Sequence, residues 1–195
     1  MVVLTEPVAI DATQIMLVLT PATMLRESNI RICRQVLAQG YTLVVVTTSY
    51  PFMILRKLYE QQGLDLSRIY FIDAITRYSL GSTPESAEHC RFVSNPSNLT
   101  DLGIAITEQL HAVPDEKICL FFDSVSTLVL YLPSESISKF IHFVTTKLRL
   151  LNHTGIFLTV EKGLDPMLLT QVTTFVDSVN FIGGAAPPPS PPPPE

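Results

Sequence analysis

Long apolar runs are missing from this 195-residue sequence. None reaches the ~18 residues that a membrane-spanning helix needs, so no membrane partner is expected. Charge is also scarce: Asp, Glu, Lys and Arg make up only 16% of the chain, with a formal net charge of −5 and a pI near 5.3. The basic residues are scattered, which argues against a bulk electrostatic grip on nucleic acid. Arg26, Arg31 and Arg34 read as the solvated face of a helix. Cysteine is limited to Cys33, Cys90 and Cys119, at no metal-ligand spacing. Two of the three lie in apolar patterns, where a free thiol acts as a small hydrophobe, and a reducing cytoplasm suits them. The opening MVVLTEPVAIDATQ lacks a basic segment followed by an apolar stretch and a cleavage site, so it does not read as a signal peptide. What is abundant is short apolar sequence, 47% of residues overall, enough for one substantial buried core.

The apolar runs alternate with stretches of helical period. Ile15 to Leu19, Leu43 to Val46, Ile69 to Ile72, Ile118 to Phe122, Gly155 to Val160 and Val179 to Ile182 read as strands. Thr20-Pro21 reads as the cap and first position of a helix ending at Gly40, and Pro51 opens a second that Gly63 ends. Ser97 or Asn98 caps a third, with Asp101 favoured in its first turn. The clearest helix covers 135–151, where Ile137, Phe140, Ile141, Val144, Leu148 and Leu151 share one stripe. Pro166 opens a short one. Residues 77–97 show no clear period and read as a long connection with a short extra strand or hairpin. Strands buried on both faces and separated by helices predict an α/β three-layer sandwich, a mostly parallel central sheet flanked by helices. This domain covers 13–184, after an N-terminal arm over 1–12 and before a Pro-rich tail over 185–195. The tail, AAPPPSPPPPE, reads as a spacer, with a ligand for a proline-recognising domain as the alternative.

Ligands of such sheets bind beyond the carboxyl ends of the strands. One carboxylate, Asp123, closes the run ICLFFD, and Asp73 closes YFID. An acid at that place serves a metal and a phosphate if a phosphate cradle accompanies it, and caps the next turn through Ser124 or nearby amides if none does. A P-loop needs glycines, a Lys and a Ser or Thr. The first turn instead reads LTPATMLRES, without Gly or Lys and with one amide donor removed by Pro21. The start of a helix still favours an anion, which makes Thr20, Thr23, Arg26 and Ser28, with Asp123 and Ser124, the candidate nucleotide contacts.

The segments YTLVVVTTSYPFMILRKLYEQQGLDLSRIYFIDAITR, NLTDLGIAITEQL, ICLFFDSVSTLVLY, SISKFIHFVTTKLRLLNHTGIFLTVEKGLDP and FVDSV succeed one another as in RecA-superfamily ATPases. The chain resembles the KaiC/RadA-like branch common in archaea. That resemblance covers roughly residues 13–182 and implies a RecA-like core in which Asp123 matches the acid that orients magnesium through water. Two departures matter. The family's glycine-rich loop is absent from residues 20–28, and its catalytic glutamates after the second strand are replaced by Thr47-Thr48-Ser49. Hydroxyls cannot act as general base at neutral pH, and phosphoryl transfer depends on positioning and charge neutralisation that these losses remove.

No other catalytic set stands in. His89, His111, His142 and His153 are dispersed, no G-x-S-x-G elbow occurs, and Thr127, Ser134 and Ser136 sit where hydroxyls cap helices. Lys162 reads as an exposed loop residue and Tyr50 as a packed one. The expectation is therefore a non-catalytic RecA/KaiC-like module without cofactor or metal. It would serve a regulatory or scaffolding role, self-associating or pairing with a paralogue. The alternative is a module that binds Mg-ATP, ADP or another anion without hydrolysis.

Overall fold

Runs such as IMLVLT (Ile15–Thr20) and TLVVVT (Thr42–Thr47) are buried at every position rather than at alternate ones. A strand of that kind must be covered on both faces, which is the situation inside a parallel sheet. The computed structural model describes residues 10–83, 87–115 and 117–183. The Pro-rich tail and most of the N-terminal arm lie outside them. Seven strands form one sheet: β1 (Ile15–Thr20), β2 (Thr42–Thr47), β3 (Ile69–Asp73), β4 (Cys90–Phe92), β5 (Ile118–Asp123), β6 (Thr154–Val160) and β7 (Ser178–Phe181). Their order is β4-β3-β2-β5-β6-β1-β7 and every pairing is parallel.

Helix placement follows from handedness. Parallel crossovers are right-handed, so those stepping toward β4 and those stepping toward β7 put their helices on opposite faces. The first group holds α1 (Leu25–Ala38) and α2 (Phe52–Gln61), whose Ile32, Val36, Leu55 and Tyr59 pack on Met16, Val45, Phe71 and Phe121. The second holds α4 (Leu99–Ala112), α6 (Ser134–Leu150) and α7 (Pro166–Phe175), whose Leu102, Ile141, Val144 and Leu168 pack on Leu17, Val44, Leu120 and Phe157. Two short helices, α3 (Thr76–Leu80) and α5 (Val125–Leu128), follow β3 and β5.

Several local readings change. The first helix does not begin at Thr20-Pro21: Thr20 completes β1, a 3-10 turn spans Ala22–Met24, and α1 starts at Leu25 without a side-chain cap. Within the stretch 77–97 the extra strand is β4, parallel to β3 and therefore not part of a hairpin. Asn98 does cap α4, accepting from the Asp101 amide at 3.0 Å. By contrast α6 is entered through Pro133 with no side-chain cap, so Ser134 and Ser136 are not its caps.

Candidate functional site at the carboxyl ends of β1, β2 and β5

Side chains alternate along a strand, and the register sets four polar residues on the α1/α2 face at the carboxyl end of the sheet. Thr20 ends β1, Thr47 pairs with both Asp73 and Asp123, and all four are buried. The α1/α2 helices therefore decide what each can reach.

Thr20 reaches Ser28. Their hydroxyls are 2.7 Å apart and neither residue has accessible surface, so the two close on each other. The turn above offers little to an anion: the Met24 amide donates to the Pro21 carbonyl, and the Leu25 amide to that of Ala22. Met24 packs its thioether against Gly183, just past β7, so closely that a Cβ there would overlap it. Thr23 and Arg26 stay exposed.

Asp73 and Asp123 end neighbouring parts of the sheet but differ in every contact. Asp73 accepts from the amides of Phe52 (2.6 Å), Ile75 and Thr76 (2.8 Å each) and from the Thr76 hydroxyl. It ties β3 to the starts of α2 and α3, the capping role expected of a strand-end acid. Asp123 does not cap its own turn. Its Oδ2 accepts from Asn29 Nδ2 on α1 at 2.8 Å, and Asn29 Oδ1 in turn accepts from the Tyr59 hydroxyl at 2.8 Å. Cys33 Sγ lies 3.4 Å from that hydroxyl. Burial pushes the Cys33 thiol up to about 12 and holds Tyr59 well above the ordinary phenol range, so both remain protonated donors. Burial also pushes Asp123 up to about 6, against the lowering pull of the Asn29 bond. The result is a buried file of donors, Cys33, Tyr59 and Asn29, directed at one carboxylate.

Ser124 goes elsewhere. Its hydroxyl is 2.9 Å from those of Ser126 and Thr127, and Thr127 meets Ser49 at 2.7 Å. Thr48 donates to the Ser124 carbonyl at 3.1 Å and Thr47 to the Tyr50 carbonyl at 2.7 Å. Thr47 thus braces its own turn, Thr48 ties that turn to the backbone after β5, and Ser49 joins the hydroxyl cluster.

An open cavity of about 200 Å³ adjoins Asp123 from the α1/α2 side. Leu25, Ile54, Leu55 and Leu58 form its walls, and Arg26, Lys57 and Gln61 stand exposed at its mouth. Tyr50 is 44% exposed and lines it too, so it is not the packed residue the sequence suggests. Of the six candidate contacts, the structure brings Arg26 and Asp123 to this one cavity. Thr20 and Ser28 are sealed beside it, Thr23 faces solvent, and Ser124 belongs to the hydroxyl cluster. Asn29 was missed. Its signal is that it falls on the buried stripe Asn29, Ile32, Cys33, Val36 of α1, where a polar residue needs a partner. Among the described residues no group of His, Cys, Asp or Glu is arranged to hold a metal ion.

Comparison with known proteins fits this frame. The profile of a family of unknown function, DUF7504, matches residues 17–179. The chain belongs to that family. No curated protein matches it significantly. Among solved structures, a KaiC-like protein from the hyperthermophilic archaeon Pyrococcus horikoshii superposes with a TM-score of 0.63 at 15% identity, covering 88% of this chain and 71% of that one. An uncharacterised protein of the same organism, solved in complex with an unknown peptide, gives 0.66 at 15% identity, covering 87% and 77%. These likenesses establish the DUF7504 chain as RecA-like in fold.

Proposed function

We propose that this DUF7504 domain is a non-catalytic RecA-like module that works by pairing, with a second copy of itself or with a related active subunit. The observation that carries the reading is an exposed apolar patch at the carboxyl edge of the sheet. Tyr78 and Leu80 of α3 are 51% and 71% exposed, and Leu130 after α5 is 77% exposed. The Tyr78 and Tyr131 rings meet edge-on at 5.7 Å, which makes the two segments one surface. Large side chains gathered in this way mark association sites more often than single exposed ones do.

The chemistry beside the patch supports the non-catalytic half. The first turn has neither glycine nor lysine, its amides at Met24 and Leu25 are used internally, and the hydroxyls of Thr47 and Thr48 are spent on backbone carbonyls. The peptide bound by one structural neighbour is a further sign that this fold accepts polypeptide. Sedimentation velocity tests the pairing. Wild-type protein should sediment as a dimer or larger species at micromolar concentration, and Leu130→Glu, on an exposed position, should return it to monomer with unchanged circular dichroism. Wild-type monomer throughout the range would remove self-pairing.

A further inference from the structure

The cavity between α1 and α2 has a chemistry that the pairing surface does not use. Its walls are aliphatic, while its two ends make opposite demands. At the mouth stand Arg26 and Lys57, and among the described residues neither forms an ion pair. At the floor lies Asp123, 3% exposed, whose carboxyl takes one side-chain hydrogen bond, from Asn29 to Oδ2. Oδ1 accepts none among the described residues, and the carboxyl lines the cavity, where a guest's donor can meet it. Two cations and one carboxylate leave the lining one positive charge in excess, so a monoanion neutralises it.

Size narrows the class of guest. The volume, about 200 Å³, is below the ~300–1,000 Å³ of pockets for drug-sized ligands. It is slightly above the ~150 Å³ of an apolar cavity that takes up benzene. One substituted ring fills that volume. A plain hydrocarbon leaves both ends unmet, and an amine alone sets its charge beside Arg26 and Lys57.

We propose that this cavity binds a small aromatic acid carrying an amino or hydroxyl group opposite its carboxylate. The ring lies among Leu55, Leu58 and Tyr50, the carboxylate meets Arg26 and Lys57, and the far N–H or O–H donates to Asp123 Oδ1. The site is separate from the pairing patch and stands whether or not the chain self-associates.

Calorimetric titration of the full chain with 4-aminobenzoate, with benzoate as the control, tests it. 4-Aminobenzoate should bind saturably and about tenfold more tightly than benzoate, the effect of one net hydrogen bond. The Arg26→Ala/Lys57→Ala variant changes two exposed residues and should weaken both compounds at least tenfold. In Asp123→Asn the amide oxygen takes over the Asn29 bond and the NH2 faces the cavity. 4-Aminobenzoate should then lose its tenfold advantage over benzoate. Equal binding of the two compounds to wild type, indifference to loss of Arg26 and Lys57, or no binding at millimolar ligand would each overturn the proposal. So would displacement of 4-aminobenzoate by Mg-ATP, which would return Asp123 to a nucleotide site.

Discussion

Two aspartates show how little residue type settles by itself. Asp73 and Asp123 both end buried strands, on either side of the same Thr47 in the register. Asp73 receives four donors and organises three elements, whereas Asp123 receives one side-chain donor and carries the cost of burial. That cost has a pH signature. The folded carboxyl titrates at about 6, above its ordinary 3.8, so the folded state holds the proton between those values and the unfolded chain does not. Stability from this group is full below the lower value and is lost as pH rises through about 6. Cys33 and Tyr59, the other titratable groups packed around it, stay protonated across the window. Asp123→Asn should therefore stabilise the fold at pH 7 by about 1–3 kcal/mol, since each pH unit separating the folded and unfolded values is worth ~1.4 kcal/mol. The gain should vanish near pH 4. Urea denaturation of both proteins at several pH values checks this, and a variant less stable at pH 7 than wild type would refute it. A stability optimum sacrificed at one side chain is common where that side chain binds something.

Among the elements, β6 leaves no room for a side chain at Gly155. A Cβ on Gly155 would lie 2.6 Å from Leu148 Cδ1, on a fully buried side chain of α6. Gly155→Ala should cost about 1–3 kcal/mol by overpacking, read as a lower urea midpoint with an unchanged slope. The strands were the legible elements, because β1, β2 and β5 are apolar on both faces and too short for helices, which is how a strand covered on both sides reads. The long stripe of α6 was equally plain. The start of α1 was not, since Thr20-Pro21 has the letters of a helix cap while Thr20 spends its hydroxyl on Ser28, eight residues on. β4 was visible only as a possibility, being three half-buried residues whose pairing with β3 depends on the fold around them. Asp123 was legible as an acid at the right place. Its partner Asn29 lies 94 positions away, and no local pattern announces such a contact.

For the molecule as a whole, the parallel sheet presents all its carboxyl ends on one side, which gathers the sealed Thr20–Ser28 pair, the Asp123 cavity and the apolar patch on that side. Titration with Mg-ATP and Mg-ADP should give no saturable heat at millimolar nucleotide. Heat that saturates and is lost in Asp123→Ala would favour the alternative, a nucleotide-binding module, and phosphate release would then decide whether it hydrolyses. The same topology sets the order in which the chain can be assembled. Both neighbours of β1 come late: Ile15 pairs with Gly155, 140 residues further on, and Met16 with Ser178, 162 further on. At a translation speed of ~5–20 residues per second, this apolar N-terminal strand waits on the order of ten seconds with nothing to hydrogen-bond to. A nascent chain of this kind is a natural client for ribosome-associated chaperones. Synonymous codons that slow its synthesis should lower soluble yield without altering the finished protein.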